Sequence, residues 1–152
     1  MTEIERKWLL EALPPGEHPA RRIEQGYLAV DDDGAEVRVR RVDDATTLTV
    51  KSAPGLERVE EEIPIDQRRF DALWPLTEGR RIVKTRHLVA LDDGLTAEVD
   101  EYDDALAGLL TAEVEFPSVE ASEAFAAPDW LGREVTGDER YANRTLALRG
   151  AP

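Results

Sequence analysis

A chain of 152 residues with 41% hydrophobic content is expected to form one domain over 1–152, burying about two-thirds of its extended surface. The formal net charge of -14 disfavours nonspecific nucleic-acid binding, and the absence of cysteine excludes disulfides, thiolate zinc sites and thiol nucleophiles. His18 and His87 are the only histidines, which disfavours an imidazole-rich metal centre. No apolar run is long enough to span a bilayer, and no basic-then-apolar leader precedes Thr2, so the expectation is a cytoplasmic protein without membrane contact.

The first segment sets the theme. In Glu3-Ile4-Glu5-Arg6-Lys7, two carboxylates and one ammonium occupy alternate positions, which on a strand share one face. Further strands are predicted near 23–30, 36–42, 46–53, 57–65, 80–91, 95–103 and 110–116, after a first near 2–9. Turn signals at Asp31-Asp32-Asp33-Gly34, Asp43-Asp44, Ala53-Pro54-Gly55 and Asp92-Asp93-Gly94 make sequential neighbours antiparallel. With constant parity these segments add Arg38 and Arg40, then Thr49 and Lys51, then Arg58, Glu60 and Glu62. Lys84 and Arg86, Glu98 and Asp100, and Glu113 and Glu115 complete the face. Opposite them stand Ile4, Val37, Val39, Leu48, Val50, Val83, Val99 and Val114.

Three helices are expected. Asp66 can cap one that sets Phe70, Leu73 and Trp74 on a single side before Pro75 stops it. Ser118 can cap a second through Phe125, and Asp138 a third through about Leu146. If these helices cover the valine-bearing face, the charged face must line the inside of a curved sheet. The expected fold is therefore mainly β (α+β): an eight-stranded antiparallel closed β-barrel, or tunnel, with a few covering helices. Buried charge of both signs persists only if mutually neutralised, hydrated or matched to a ligand, and a metal-bound polyphosphate supplies both signs. Same-sign pairs two residues apart fit that ligand: paired acids suit a hard divalent cation, paired bases suit phosphate oxygens.

The Glu3-Ile4-Glu5-Arg6-Lys7 segment matches the ExExK signature of the CYTH superfamily, the triphosphate tunnel metalloenzymes, and the later pairs resemble its remaining tunnel residues in order. Gln25-Gly26-Tyr27-Leu28, Leu73-Trp74-Pro75, Thr77-Glu78-Gly79-Arg80-Arg81 and Tyr141-Ala142-Asn143-Arg144 resemble its compact bacterial members. The resemblance implies metal-dependent hydrolysis of inorganic triphosphate to phosphate and pyrophosphate, with Mg²⁺ or Mn²⁺ as cofactor. It implies that Glu3, Glu5, Glu60, Glu62, Glu98, Asp100, Glu113 and Glu115 share the metal and water work. Lys7, Arg38, Arg40, Lys51, Arg58, Lys84 and Arg86 would hold phosphate. The proton acceptor would come from Glu113 and Glu115 or from Glu60 and Glu62, and Lys7 with Tyr27 forms a possible proton-transfer dyad, against a packing role for Tyr27. His87, of opposite parity to Lys84 and Arg86, is expected at the strand surface, and Tyr141 and Asn143 are expected to anchor the last helix.

The expected partner is a triphosphate-containing small molecule, with no nucleic acid and no membrane, and the expected state is a monomer or homodimer. Competing functions are a nucleoside or thiamine triphosphatase, a class IV type adenylate cyclase, and a non-catalytic triphosphate-binding protein. The first three need an aromatic or apolar patch for the organic group, and the nine aromatics offer no spare cluster.

Overall fold

A computed structural model describes residues 4–53 and 58–152. Glu3 and the tip of the hairpin expected at Ala53-Pro54-Gly55 lie outside the described residues. Eight strands form one antiparallel sheet: β1 (Ile4–Leu9), β2 (Ala20–Val30), β3 (Glu36–Val42), β4 (Ala45–Lys51), β5 (Glu60–Pro64), β6 (Arg81–Ala90), β7 (Thr96–Tyr102) and β8 (Leu110–Phe116). Their spatial order is β1-β8-β7-β6-β2-β3-β4-β5.

The expected closure is not observed. β1 and β5 end the sheet and do not pair with each other. The reason lies in the hydrogen bonds of β1, whose outer edge is already taken by residues 132–136. Leu9 N–H donates to Arg133 O at 2.8 Å, Gly132 N–H to Leu9 O at 2.9 Å and Val135 N–H to Lys7 O at 2.8 Å. Lys7 N–H donates to Thr136 Oγ1 at 3.0 Å. Along Lys7 and Leu9 an edge so occupied has little to offer another strand.

Two helices cover the outer face as expected. α1 (Gln67–Leu73) begins where Asp66 accepts from Arg69 N–H and buries Phe70. The Phe70 ring stacks on Trp74 at 5.3 Å, with the Arg41 guanidinium 4.8 Å from its centroid. α2 (Val119–Ala124), capped by Ser118, brings Phe125 against Trp8 and Phe116 over a core that includes Val99, Ala112 and Val114. His87 meets Glu101 on this face at 3.2 Å, as its parity predicts.

The third helix differs in both extent and position. Asp138 caps only a 3-10 turn over Glu139–Tyr141, Ala142 is extended at φ -66° and ψ 143°, and α3 (Asn143–Arg149) starts after it. α3 packs on the concave face, where Leu146 and Ala147 join Tyr27, Ile82, Tyr102 and Leu106 in a second core. That face is not charged throughout. Tyr27, Ile82 and Tyr102 share parity with Arg38, Lys84 and Asp100, and burying them with Leu146 contributes about 1.5–3 kcal/mol per large side chain.

Candidate active site

Register gathers the charged residues without side-chain guesswork, because cross-strand partners share a face. Lys7 stands opposite Glu113 and Glu5 opposite Glu115, while Glu98 faces Glu113 and Arg86 faces Asp100. Arg40 faces Gln25 and Thr47, Arg38 faces Tyr27 and Thr49, and Lys51 faces Glu36 and Glu60. Glu62 faces Thr49. Every predicted site residue from Glu5 to Glu115 that belongs to a described strand therefore lies on the concave side. Along the strand order the described charges alternate in blocks: carboxylates on β8 and β7, cations on β6, β3 and β4, and carboxylates again on β5, with one of each sign on β1.

Lys84 is the deepest cation. Its side chain is 3% exposed, with Nζ 2.8 Å from Asp100 Oδ2, 3.4 Å from Asn143 Oδ1 and 5.3 Å from the Tyr102 ring centroid. Burial lowers its pKa against the opposing pull of Asp100. Arg86 grips the same carboxylate through both oxygens at 2.9 and 3.0 Å and reaches Glu98 at 2.6 Å. Desolvation opposes the charge on Arg86, yet hydrogen bonding to Asp100 leaves its pKa raised. Burial likewise works against the Asp100 carboxylate, and Lys84 and Arg86 outweigh it, leaving the pKa lowered. Asp100 is thus the internal counter-charge of two cations, with both oxygens engaged.

Lys7 donates to Tyr141 O at 2.7 Å and lies 3.3 Å from Glu113. Tyr27 accepts from Gln25 Nε2 at 3.0 Å, and burial followed by the charge of Glu36 pushes its phenol pKa up. The structure does not bring Lys7 and Tyr27 together as a hydrogen-bonded pair among the described residues. Lys51 lies 3.7 Å from Glu60, and Arg58, outside the strands, donates to Ser52 O at 2.8 Å and Gly34 O at 3.2 Å.

The decisive feature is on β3. Arg38 Nε and Arg40 Nε are buried, and each lacks a hydrogen-bond partner among the described residues. Burial lowers the Arg40 pKa, and the neighbouring charges of Arg86 and Arg38 lower it further. Buried donors are rarely left unpaired in a folded protein, so two adjacent ones facing a shared concavity mark a place for an anion.

The acidic side is complementary. Glu5 opposite Glu115 and Glu98 opposite Glu113 are like-charge cross-strand pairs, of which Glu113 and Glu98 are met by Lys7 and Arg86. Among the described residues, no three acidic or histidine side chains form a ready-made ion cage. Mg²⁺ and Mn²⁺ do not need one, because Mg²⁺ binds through one or two carboxylates, retained waters and substrate phosphates. A cavity of about 350 Å³ lies here, with Glu5, Lys7, Glu113, Glu139 and Asn143 in its lining. A larger cleft of about 580 Å³ lies on the outer face beside α2, lined by none of the predicted site residues.

Sequence reasoning missed Glu36, Gln25 and Asn143. Glu36 shared parity with Arg38 and Arg40 and was legible as part of an alternating Glu36-Val37-Arg38-Val39-Arg40 run. Gln25 shared the parity of Tyr27, whereas Asn143 reaches Lys84 only through the unforeseen position of α3.

The CYTH domain description matches residues 1–150. The chain belongs to the CYTH domain family. A CYTH relative named inorganic triphosphatase, from Nitrosomonas europaea, is 48% identical over 148 residues, covering 97% of this chain and 98% of the relative. Another inorganic triphosphatase, from Acetivibrio thermocellus, is 43% identical over 125 residues, covering 80% and 77%. The crystal structure of an inorganic triphosphatase superposes with a TM-score of 0.88 at 44% identity, covering 100% of this chain and 98% of the other. The open eight-stranded sheet is thus a CYTH fold.

Proposed function

We propose that this CYTH protein is a single-unit, divalent-metal-dependent hydrolase that cleaves inorganic triphosphate to phosphate and pyrophosphate. The observation that carries the reading is the pair of buried guanidinium Nε atoms of Arg38 and Arg40 that find no hydrogen-bond partner among the described residues, with the charges of Arg86 and Lys51 close by. The names of the two relatives and the superposed structure support the same activity.

Glu5, Glu113 and Glu115 are the residues that would hold Mg²⁺ or Mn²⁺, with Glu98 beside them and Glu3, Glu60 and Glu62 as the remaining acids of the set. The bound ion would neutralise phosphate charge and acidify water. Arg38, Arg40, Lys51, Lys84, Arg86 and Lys7 orient the triphosphate and offset the charge that spreads over its oxygens, which is most of what phosphoryl transfer asks of a protein. Water attacks the terminal phosphorus, the anhydride P–O bond breaks, and pyrophosphate departs with the bonding pair. A carboxylate of Glu113 or Glu115, or of Glu60 or Glu62, takes the water's proton. Tyr27, held by Gln25 with its phenol pKa raised, acts as tunnel wall rather than as base.

The aromatic residues argue against the organic alternatives. Trp8, Phe70, Trp74, Phe116 and Phe125 pack on the outer side, and Tyr27, Tyr102 and Tyr141 are buried in the α3 core, so none of these stands free to stack on a base. The same reading places the protein in the cytoplasm, as a monomer or homodimer without nucleic-acid or membrane partners. No helix among the described residues is long and apolar enough to cross a membrane.

The test is phosphate release from tripolyphosphate with Mg²⁺ or Mn²⁺, run beside ATP and thiamine triphosphate. Absence of release, or conversion of ATP to cyclic nucleotide, refutes the assignment. Glu5→Gln is expected to abolish metal-dependent turnover while preserving the melting midpoint.

A further inference from the structure

Two guanidiniums converge at the β2–β3 turn. Gly34, at φ 96°, adopts the left-handed conformation that closes this turn, its N–H donating to Asp31 O at 2.9 Å. Its own carbonyl oxygen accepts from Arg58 Nη2 at 3.2 Å and from Arg144 Nη1 at 3.2 Å. Among the described residues neither guanidinium lies within ion-pair distance of a carboxylate. Among the described residues these two like charges share one neutral acceptor.

Two further cations, Arg38 and Lys51, lie nearby on the concave face, next to a turn that itself carries Asp31, Asp32 and Asp33. Glu36, 6% exposed, is buried two residues after Gly34, where Arg38 Nη1 reaches it at 3.3 Å and Lys51 faces it across the β3–β4 ladder. Arg38 and Lys51 thus meet the buried Glu36 carboxylate, with Glu60 also 3.7 Å from Lys51, beside the Gly34 carbonyl on which Arg58 and Arg144 converge. This cluster lies toward the β3–β4 side, away from the Glu5, Glu113 and Glu115 side of the sheet. α3 delivers Arg144 there. The segment leading into it crosses the concave face from Lys7 at Tyr141 O, past Lys84 at Asn143 Oδ1, to Gly34 at Arg144.

We propose that Arg144 is a further substrate-binding residue, which with Arg58 holds the phosphate group on the side away from Glu5, Glu113 and Glu115 and thereby selects inorganic triphosphate over nucleotide esters. The inference rests on the triphosphatase reading. Inorganic triphosphate ends in a free phosphate with three non-bridging oxygens, which suits guanidinium forks. In a nucleoside triphosphate the corresponding group is an ester with less charge and an attached sugar, so the same cations gain less and meet a bulky neutral group.

The experiment compares wild type, Arg144→Gln and Arg144→Lys in KM for tripolyphosphate and in the competitive inhibition constant of ATP, with melting midpoints as a control on folding. For Arg144→Gln the expected result is a rise of about tenfold or more in the tripolyphosphate KM, as for a lost charge-assisted hydrogen bond. The ATP constant should stay within about twofold, so that the discrimination between the two collapses. Arg144→Lys keeps charge and stem but loses the fork, and should fall between. If Arg144→Gln melts early, Arg144→Lys decides: a raised tripolyphosphate KM with ATP unmoved supports the assignment, and unaltered discrimination overturns it. An active wild type with both variants unchanged overturns the role of Arg144 alone. A wild type that fails to hydrolyse tripolyphosphate overturns the triphosphatase reading itself.

Discussion

Arg40 is crowded by its own kind: desolvation and the charges of Arg86 and Arg38 all weigh against its guanidinium, and its Nε meets no acceptor among the described residues. That environment is the basis for proposing Arg40 as an anion ligand. Arg40→Ala should weaken tripolyphosphate binding by about 1.5–3 kcal/mol, or roughly ten- to a hundredfold in KM, as for a lost charge-assisted hydrogen bond. Steady-state kinetics on a variant of normal melting midpoint check this, and an unmoved KM and kcat remove Arg40 from the phosphate set. At this scale the sequence was highly informative, because side chains on a strand alternate with a period of two. Arg38 and Arg40, Lys84 and Arg86, or Glu113 and Glu115 cannot face opposite ways within one regular strand. The actual partners were less legible. Asp100 carries the same carboxylate as Glu98, but only its burial between Lys84 and Arg86 makes it a counter-charge instead of an open ligand.

Among the elements, the segment after α2 changes the architecture most. It occupies the edge of β1, and Arg6 clamps it with two hydrogen bonds to Glu134, at 2.9 and 2.6 Å. Bonds from Arg6 and Thr136 hold the Glu134 pKa at about 2, below its ordinary 4.5. A carboxylate with a depressed folded-state pKa stabilises the fold above its unfolded value and loses that contribution as pH falls through the folded one. The clamp should therefore contribute fully above pH 4.5 and vanish near pH 2. Glu134 is largely solvated, so its worth is no more than about 1 kcal/mol. Melting midpoints of wild type and Glu134→Gln should differ near neutrality and converge toward pH 2, and a difference independent of pH would contradict the clamp. No sequence period announces this segment, because it pairs as single bonds rather than as an alternating strand. The closed barrel inferred from eight strands was the wrong geometry for that reason. The place of α3 was hidden similarly: Tyr27 and Ile82 are apolar residues at charged-face parity, and their meaning emerged only with Leu146 on top of them.

For the molecule as a whole, an excess of negative charge surrounds a concavity rich in cations. General self-repulsion should yield to screening, so about 0.5 M salt is expected to raise the melting midpoint by shortening the Debye length to a few ångströms. Tripolyphosphate without metal should raise it further at low salt, by about 2.7 kcal/mol of stability at a hundredfold excess over Kd. Thermal scans at matched ionic strength separate the two effects, and equal shifts from tripolyphosphate and sulfate would deny the concavity any selectivity. The sheet's other terminus has a different consequence. β5 carries Glu60, Glu61 and Glu62 in a row, all exposed, beside the exposed apolar groups of Val59 and Ile63. An antiparallel docking of two such strands about Glu61 would set that carboxylate against its own copy and Glu60 against Glu62. Fibre growth through this open rim is thus opposed by the very acids that face the lumen and its outer wall, and the molecule can leave its sheet unsealed without inviting copies of itself to continue it.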